Sequence, residues 1–267
     1  GNEDNQTSPS AILKEFAPDI VYMDPARRGE GGKKVFLIEE CTPDVLTLKD
    51  EIFRHCRHIL IKLSPMADIT MVCERLGMTC REGHVVSSEG ECKELLIWMD
   101  RDWQEGYNIT AVELPNGYPE KSAAILTFTP EDERSGYAEM ATDMGEFLFE
   151  PGKSLTKAGA FNVTASHFHI TKLGKSTHYY TTSNPSTTDA LKGYGKVFQI
   201  LGCSPLDKRS IKEAGKNHPK AEVTARNVPM TSDALRKKLG CSSGGEVHIF
   251  GLRSDLKGNL LMVCKRI

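Results

Sequence analysis

The chain has 267 residues, 39% of them hydrophobic and 26% charged, with a formal net charge of −2 at pH 7. That length supports a real core and two domains, and no apolar run approaches the roughly 20 residues of a membrane-spanning helix. The near-neutral total hides an asymmetry. Residues 1–105 and 106–150 each carry −7 and residues 151–267 carry +12, which points to an acidic body joined to a basic, nucleic-acid-binding part or to a basic solvated surface.

Residues 1–10 are polar, lack an initiating Met and read as a flexible lead-in, with the natural protein expected to extend upstream. Ile20–Met23 predicts a strand, and Pro43–Cys56 a helix with Thr42 as N-cap and Pro43 at its first position. His58–Leu63 is a second strand, followed by a short helix over Asp68–Leu76 closed by Gly77. Arg81–Ser88 and Glu94–Met99 pair around Glu89-Gly90-Glu91. Strand-helix-strand-helix and then a hairpin is the second half of a mostly parallel α/β sheet with an antiparallel edge. Residues 11–105 form this domain, and 106–150 a connecting β-rich segment with a turn at Asn116-Gly117 and a strand at Ala124–Phe128. The domain boundary falls within that connection, near 101–121 or in the acidic loop Glu131–Gly136.

Residues 151–267 read as a smaller α+β domain. Ser154–His167 is a helix with Ala158, Phe161, Ala165 and Phe168 on one face. Strands follow at His178–Thr182 and Lys196–Gly202, then a helix at Asp207–Ala214 and an extended Ala221–Asn227. Thr231–Leu239 is a capped helix ended by Gly240, and Val247–Leu252 and Leu260–Lys265 close the chain as an antiparallel pair. The eight cysteines contain no CxxC and sit in apolar or helical contexts; they read as buried free thiols of a reducing, cytoplasmic protein. No His cluster has zinc-like spacing, so no metal site is expected.

The densest chemistry is Ile20-Val21-Tyr22-Met23-Asp24-Pro25-Ala26-Arg27-Arg28-Gly29. A buried-type strand delivers one carboxylate to its C-terminal end, where ligands of open α/β sheets bind. Pro25 fixes its own φ and biases Asp24 towards an extended backbone. Asp24 and nearby carbonyls are then placed to accept from a planar amine or amide, and Arg27 or Arg28 to pair with phosphate or stack on a base. A capping Asp beside surface arginines explains the residues equally well.

Asp24-Pro25-Ala26-Arg27-Arg28 resembles the substrate-side signature at the fourth strand of class I S-adenosylmethionine-dependent methyltransferases. Residues 11–100 resemble that fold from its fourth strand to its seventh. The whole chain is similar to bacterial proteins that join such a domain to a C-terminal THUMP-like domain. The resembling segments include Glu40-Cys41-Thr42-Pro43-Asp44, Lys157-Ala158-Gly159-Ala160-Phe161, Thr177-His178-Tyr179-Tyr180-Thr181 and Arg226-Asn227-Val228-Pro229. The resemblance implies the C-terminal half of a Rossmann-like methyltransferase sheet, an acceptor site at Asp24 and Pro25 with Arg27 and Arg28 orienting a nucleotide, and S-adenosylmethionine as cofactor of the full-length protein.

Three departures qualify it. Amino-methyltransferases carry Pro and an aromatic where this chain has Ala26 and Arg27, and uracil C5 enzymes need a cysteine where it has Lys62-Leu63-Ser64-Pro65. The glycine loop that holds the cofactor would precede Ala11, so the chain alone is expected to be inactive. Without that first strand, Ile20–Met23 would expose an edge, covered by the N-terminal segment or by another copy through self-association near Ile20.

RNA is the expected partner of the basic domain. Lys208, Lys212 and Lys216 share a helix face by their spacing of four, flanked by Arg209 and by Arg236, Lys237 and Lys238. Glu150-Pro151-Gly152-Lys153-Ser154 is not a Walker loop, because Phe147 stands where a Gly is required. A helix N-terminus near Ser154 would still receive phosphate with Lys153 and Lys157. His178-Tyr179-Tyr180 beside Lys172 and Lys175 offers stacking next to cations, or simply a core strand. The leading expectation is a methyltransferase fragment acting on RNA; the rival is a non-catalytic RNA-binding scaffold with a degenerate fold.

Overall fold

The computed structural model describes residues 9–27 and 38–267. The chain divides between Pro130 and Glu131 into two compact units.

The first unit begins with helix α1 (Pro9–Phe16), which starts inside the stretch read as a flexible lead-in and packs on α2 (Val45–His55). Strand β1 (Ile20–Met23) follows, and β2 (Ala26–Arg27) pairs antiparallel with β3 (Cys41–Thr42) after a 3-10 turn at Ile38–Glu40. Helix α2 is capped by Asp44, whose carboxylate accepts from the amides of Leu46 and Thr47. Thr42 is therefore not the cap, and Pro43 lies outside the helix. Strand β4 (His58–Leu63) leads to α3 (Ile69–Leu76), capped by Asp68 and closed by Gly77. Strands β5 (Cys80–Ser88), β6 (Glu91–Asp100), β7 (Asn108–Leu114) and β8 (Ala124–Phe128) complete a mixed sheet of order β1-β4-β6-β5-β7-β8.

Two strands run antiparallel to the rest: β6, which lies inside the sheet between β4 and β5, and β8, which pairs with β7 at the edge. The stretch 106–150 does not act as one connector: β7 runs parallel to β5 and extends the first sheet, and β9 (Phe147–Pro151) belongs to the second. Alternation is strict along β4, with Ile59, Ile61 and Leu63 buried and His58, Leu60 and Lys62 half-buried. The same rule places Leu95, Ile97 and Met99 of β6 on the buried face, facing their β4 partners in register. Ile69 and Cys73 of α3 approach this face so closely at Gly83 that a Cβ there would meet Ile69 at 2.9 Å.

The second unit carries helix α4 (Pro130–Ser135) at its start and a sheet of order β10-β11-β9-β12-β15-β14-β13. Besides β9, its strands are β10 (Thr171–Lys172), β11 (Tyr180–Thr182), β12 (Gly195–Pro205), β13 (Glu222–Arg226), β14 (Val247–Ser254) and β15 (Gly258–Arg266). The β14–β15 pair is antiparallel, and β13 runs parallel to β14. The single helix read over Ser154–His167 is two: α5 (Lys153–Ala158) and α6 (Asn162–Phe168). Gly159 separates them in the left-handed region (φ 73°), which only glycine enters without cost. Helices α7 (Pro185–Leu191), α8 (Lys208–Asn217) and α9 (Ser232–Leu239) complete the unit. Ile211 and Ala214 of α8 and Leu235 and Leu239 of α9 pack on Val223, Ile249 and Leu261 in one core. Tyr179, Phe198, Phe250 and Met262 form a second core. Among the described residues, no helix is long and apolar enough to cross a membrane.

Candidate functional site

Parallel pairing of β1 and β4 sets Met23 opposite Ile61, so the next residue on each strand, Asp24 and Lys62, emerge together at the C-terminal edge. The Lys62 Nζ lies 2.8 Å from the Asp24 carboxylate and 3.9 Å from that of Glu94. The hydrogen bond to Asp24 raises the Lys62 ammonium above the ordinary lysine range, against the opposing effect of burial. Pro25 is buried, Asp24 is exposed, and the chain turns at once into the β2–β3 ribbon. Arg27 lies in that ribbon opposite Cys41, and Arg28 lies outside the described residues. Sequence reasoning misses Lys62 as a site residue. Its signal is a lone Lys in an otherwise apolar strand, but its partner depends on a strand register.

Among the described residues this edge does not make a complete cofactor site. Both carboxylates near it, Asp24 and Glu94, face Lys62. Among the described residues no glycine-rich turn stands beside them, so they do not by themselves make a site for S-adenosylmethionine. What they can do is hold an uncharged polar acceptor group between a carboxylate and an ammonium.

A second charged cluster lies at the other end of β4. Asp100, 2% exposed, accepts from Arg57 at 3.1 and 3.3 Å, from Arg81 at 3.4 Å and from the Asp102 amide at 3.1 Å. The Arg81 guanidinium sits between Trp98 and Trp103, 4.4 and 4.6 Å from the ring centroids. Burial by itself pushes the Asp100 carboxyl up. The Arg57 and Asp102 hydrogen bonds, with the Arg57 and His58 charges, outweigh it and hold the carboxyl below its ordinary value.

In the second unit, α8 presents Lys208, Arg209, Lys212 and Lys216 to solvent, and none of these four has an ion pair among the described residues. Helix α9 adds the exposed Lys237 and Lys238. Arg236 differs from its neighbours, since it is half-buried between Asp233 at 3.4 Å and Glu222 at 3.9 Å and is already committed. The two helices touch at Gly215, where a Cβ would meet the Leu239 carbonyl oxygen at 1.8 Å. That contact binds the two basic stretches into one element.

Lys153 and Lys157 lie on α5, but Ser154 does not cap it. Gly152 is the N-cap residue and Ser154 is 1% exposed. Helix α5 is short, six residues, and its N-terminus follows Gly152, with Lys153 as its first residue and Lys157 in its last turn. Tyr179 and Tyr180 are core residues, 5% and 0% exposed, donating to Glu150 and to the Phe161 carbonyl. Neither ring is free to stack on a base.

Residues 195–266 match the family model described as THUMP domain-like, and residues 147–188 match one described as a ferredoxin-like domain. Together the two matches contain every strand of the second sheet. This unit is similar to THUMP-like domains. A crystal structure of a presumed methyltransferase from Porphyromonas gingivalis W83 aligns with 96% of the chain at 30% identity and a TM-score of 0.86. The chain spans 62% of the length of that protein. No curated protein sequence matches it.

Proposed function

We propose that this chain is the acceptor-side and RNA-positioning part of an S-adenosylmethionine-dependent methyltransferase that acts on RNA in a reducing, cytoplasmic setting. The observation that carries the reading is the likeness to the P. gingivalis protein over nearly the whole chain, both units included. The order β1-β4-β6-β5 with β6 antiparallel supports an assignment to the fourth, fifth, seventh and sixth strands of the class I sheet. On this reading Asp24 and Pro25 line the acceptor pocket, Lys62 fixes the Asp24 carboxylate, and Arg27 and Arg28 approach the nucleotide. The exposed cations of α8 and α9 track the phosphate backbone. S-adenosylmethionine would be the methyl donor of the full-length protein.

One observation favours the rival reading of a non-catalytic RNA binder: Asp24 is already neutralised by Lys62. The two readings separate in an assay of RNA methylation by the longest natural form of the protein, compared with its Asp24→Ala variant. Label transfer that depends on Asp24 supports the enzyme; RNA binding without transfer supports the scaffold.

A further inference from the structure

The second unit contains a cavity of about 490 Å³ that the methyl-transfer reading does not use. Lys172, Lys175, His178, Phe161, Asn162 and Tyr137 are among its walls. Lys172 is only 3% exposed, yet it opens on this space. Its ammonium has no hydrogen bond or ion pair among the described residues, and the contact it makes is with the Phe161 ring, 5.5 Å from its centroid. Two acids act on it from a distance, Glu133, itself in the cavity wall, and Asp255, and each is tied to backbone amides. Glu133 accepts from the amides of Asn162 and Val163 at 2.9 and 3.0 Å, and Asp255 from the amide of Lys175 at 2.8 Å. Burial lowers the Lys172 ammonium below the ordinary lysine range, although Glu133 and Asp255 oppose the shift. A buried cation with no ion pair is costly, and a bound anion would offset that cost.

The rest of the wall is aromatic. Phe161 and His178 stack face to face, 3.6 Å apart and 9° from parallel. Burial, followed by the Lys172 charge, pushes His178 down to about 4, so its imidazole is neutral at pH 7. Its Nδ1 is buried with no hydrogen-bond partner among the described residues. Tyr137, 79% exposed, stands at the mouth as a loose aromatic face. The volume is within the range of small-ligand pockets, roughly 300 to 1,000 Å³.

From this arrangement we infer that the cavity binds one nucleoside monophosphate unit, its phosphate on Lys172 and Lys175 and its base against Tyr137. Such a site lies in the second unit alone and stands whether or not methyl transfer is demonstrated. The same chemistry is offered by a free nucleotide and by an unstacked nucleotide of single-stranded RNA.

Calorimetric titration of the whole chain with AMP, inorganic phosphate and a single-stranded RNA hexamer tests it. AMP is expected to bind at least ten times more tightly than phosphate. Lys172→Met is expected to weaken AMP at least tenfold without lowering the melting temperature, since Met is apolar and of similar length. Tyr137→Ala, at an exposed position that folding does not need, is expected to weaken AMP about three- to tenfold and phosphate little. Lys192→Ala, at the exposed end of α7, should leave AMP binding unchanged. A hexamer at least ten times tighter than AMP, still dependent on Lys172, identifies RNA as the source; equal affinities identify a free nucleotide. Either result supports the site. Absence of AMP binding at millimolar concentration, AMP no tighter than phosphate, or full affinity in Lys172→Met would overturn it.

Discussion

At the residue scale, two acidic side chains in the first unit have opposite assignments. Asp24 is exposed and held by one lysine, an arrangement that leaves it accessible to a ligand. Asp100 is buried under two arginines and an imidazole, an arrangement that commits its charge to the fold. Asp100→Asn is therefore expected to destabilise the first unit by about 2 kcal/mol, below the full cost of breaking a buried pair because Arg57 is half exposed. The two tryptophans of the chain, Trp98 and Trp103, both flank Arg81. A urea titration followed by their fluorescence reads this cluster directly, and an unchanged midpoint would contradict the assignment. The pH dependence has a defined sign. A carboxyl held below its unfolded value, roughly 4, stabilises above that pH and loses its contribution as pH falls through the folded value. The urea midpoint of wild type should drop below about pH 4 more steeply than that of Asp100→Asn.

At the element scale, the proposed RNA binding rests on α8 and α9. Replacing Lys212 and Lys216 by Gln should weaken single-stranded RNA binding and reduce the slope of log affinity against log salt by about 1.5, as two lost phosphate contacts require. An unchanged slope would make this a solvated face. Gly215→Ala should separate the two helices and cost about 1–3 kcal/mol, because its Cβ overlaps the backbone of Leu239. Thermal unfolding of the variant checks that figure.

Legibility in the sequence also follows the elements. Ile20–Met23, His58–Leu63 and Ala124–Phe128 are observed with the bounds their apolar runs predict, since Asp, Ser-Pro and turn residues punctuate their ends. Helix α7 is hidden in the sequence because Pro-Ser-Thr-Thr-Asp-Ala-Leu reads as a loop. The Asn184 cap and the fully buried Leu191 make it a helix. The periodic Ala158, Phe161, Ala165 pattern runs straight through Gly159, where the backbone turns left-handed. The Asp24–Lys62 pair and the Phe161–His178 stack are not readable, because each joins residues distant in sequence through a register no local pattern encodes.

At the scale of the whole molecule, the outer edge of β1 is the feature least like a finished sheet. Among the described residues no strand pairs with it, and Ile20 and Tyr22 are 50% and 57% exposed. The described part of the N-terminal segment, α1, packs on α2 and does not run along this edge as a strand. An open edge bearing apolar side chains invites pairing with another strand. The chain on its own is expected to self-associate with rising concentration in sedimentation velocity, and Tyr22→Lys to suppress that association. A chain that stays monomeric up to about 100 µM, a concentration in the range where exposed edges aggregate, would count against an exposed pairing edge.

Both units are proposed to serve one activity, and one assay bears on that most directly. Bulk cellular RNA is incubated with radiolabelled S-adenosylmethionine and the longest natural form of the protein, beside its Asp24→Ala variant. Label is expected in RNA from the wild type, with a loss of at least 100-fold in the variant and RNA affinity unchanged. No label above background, with RNA still bound, would contradict a shared methyl-transfer activity and leave an RNA-binding protein whose Asp24 serves only its lysine.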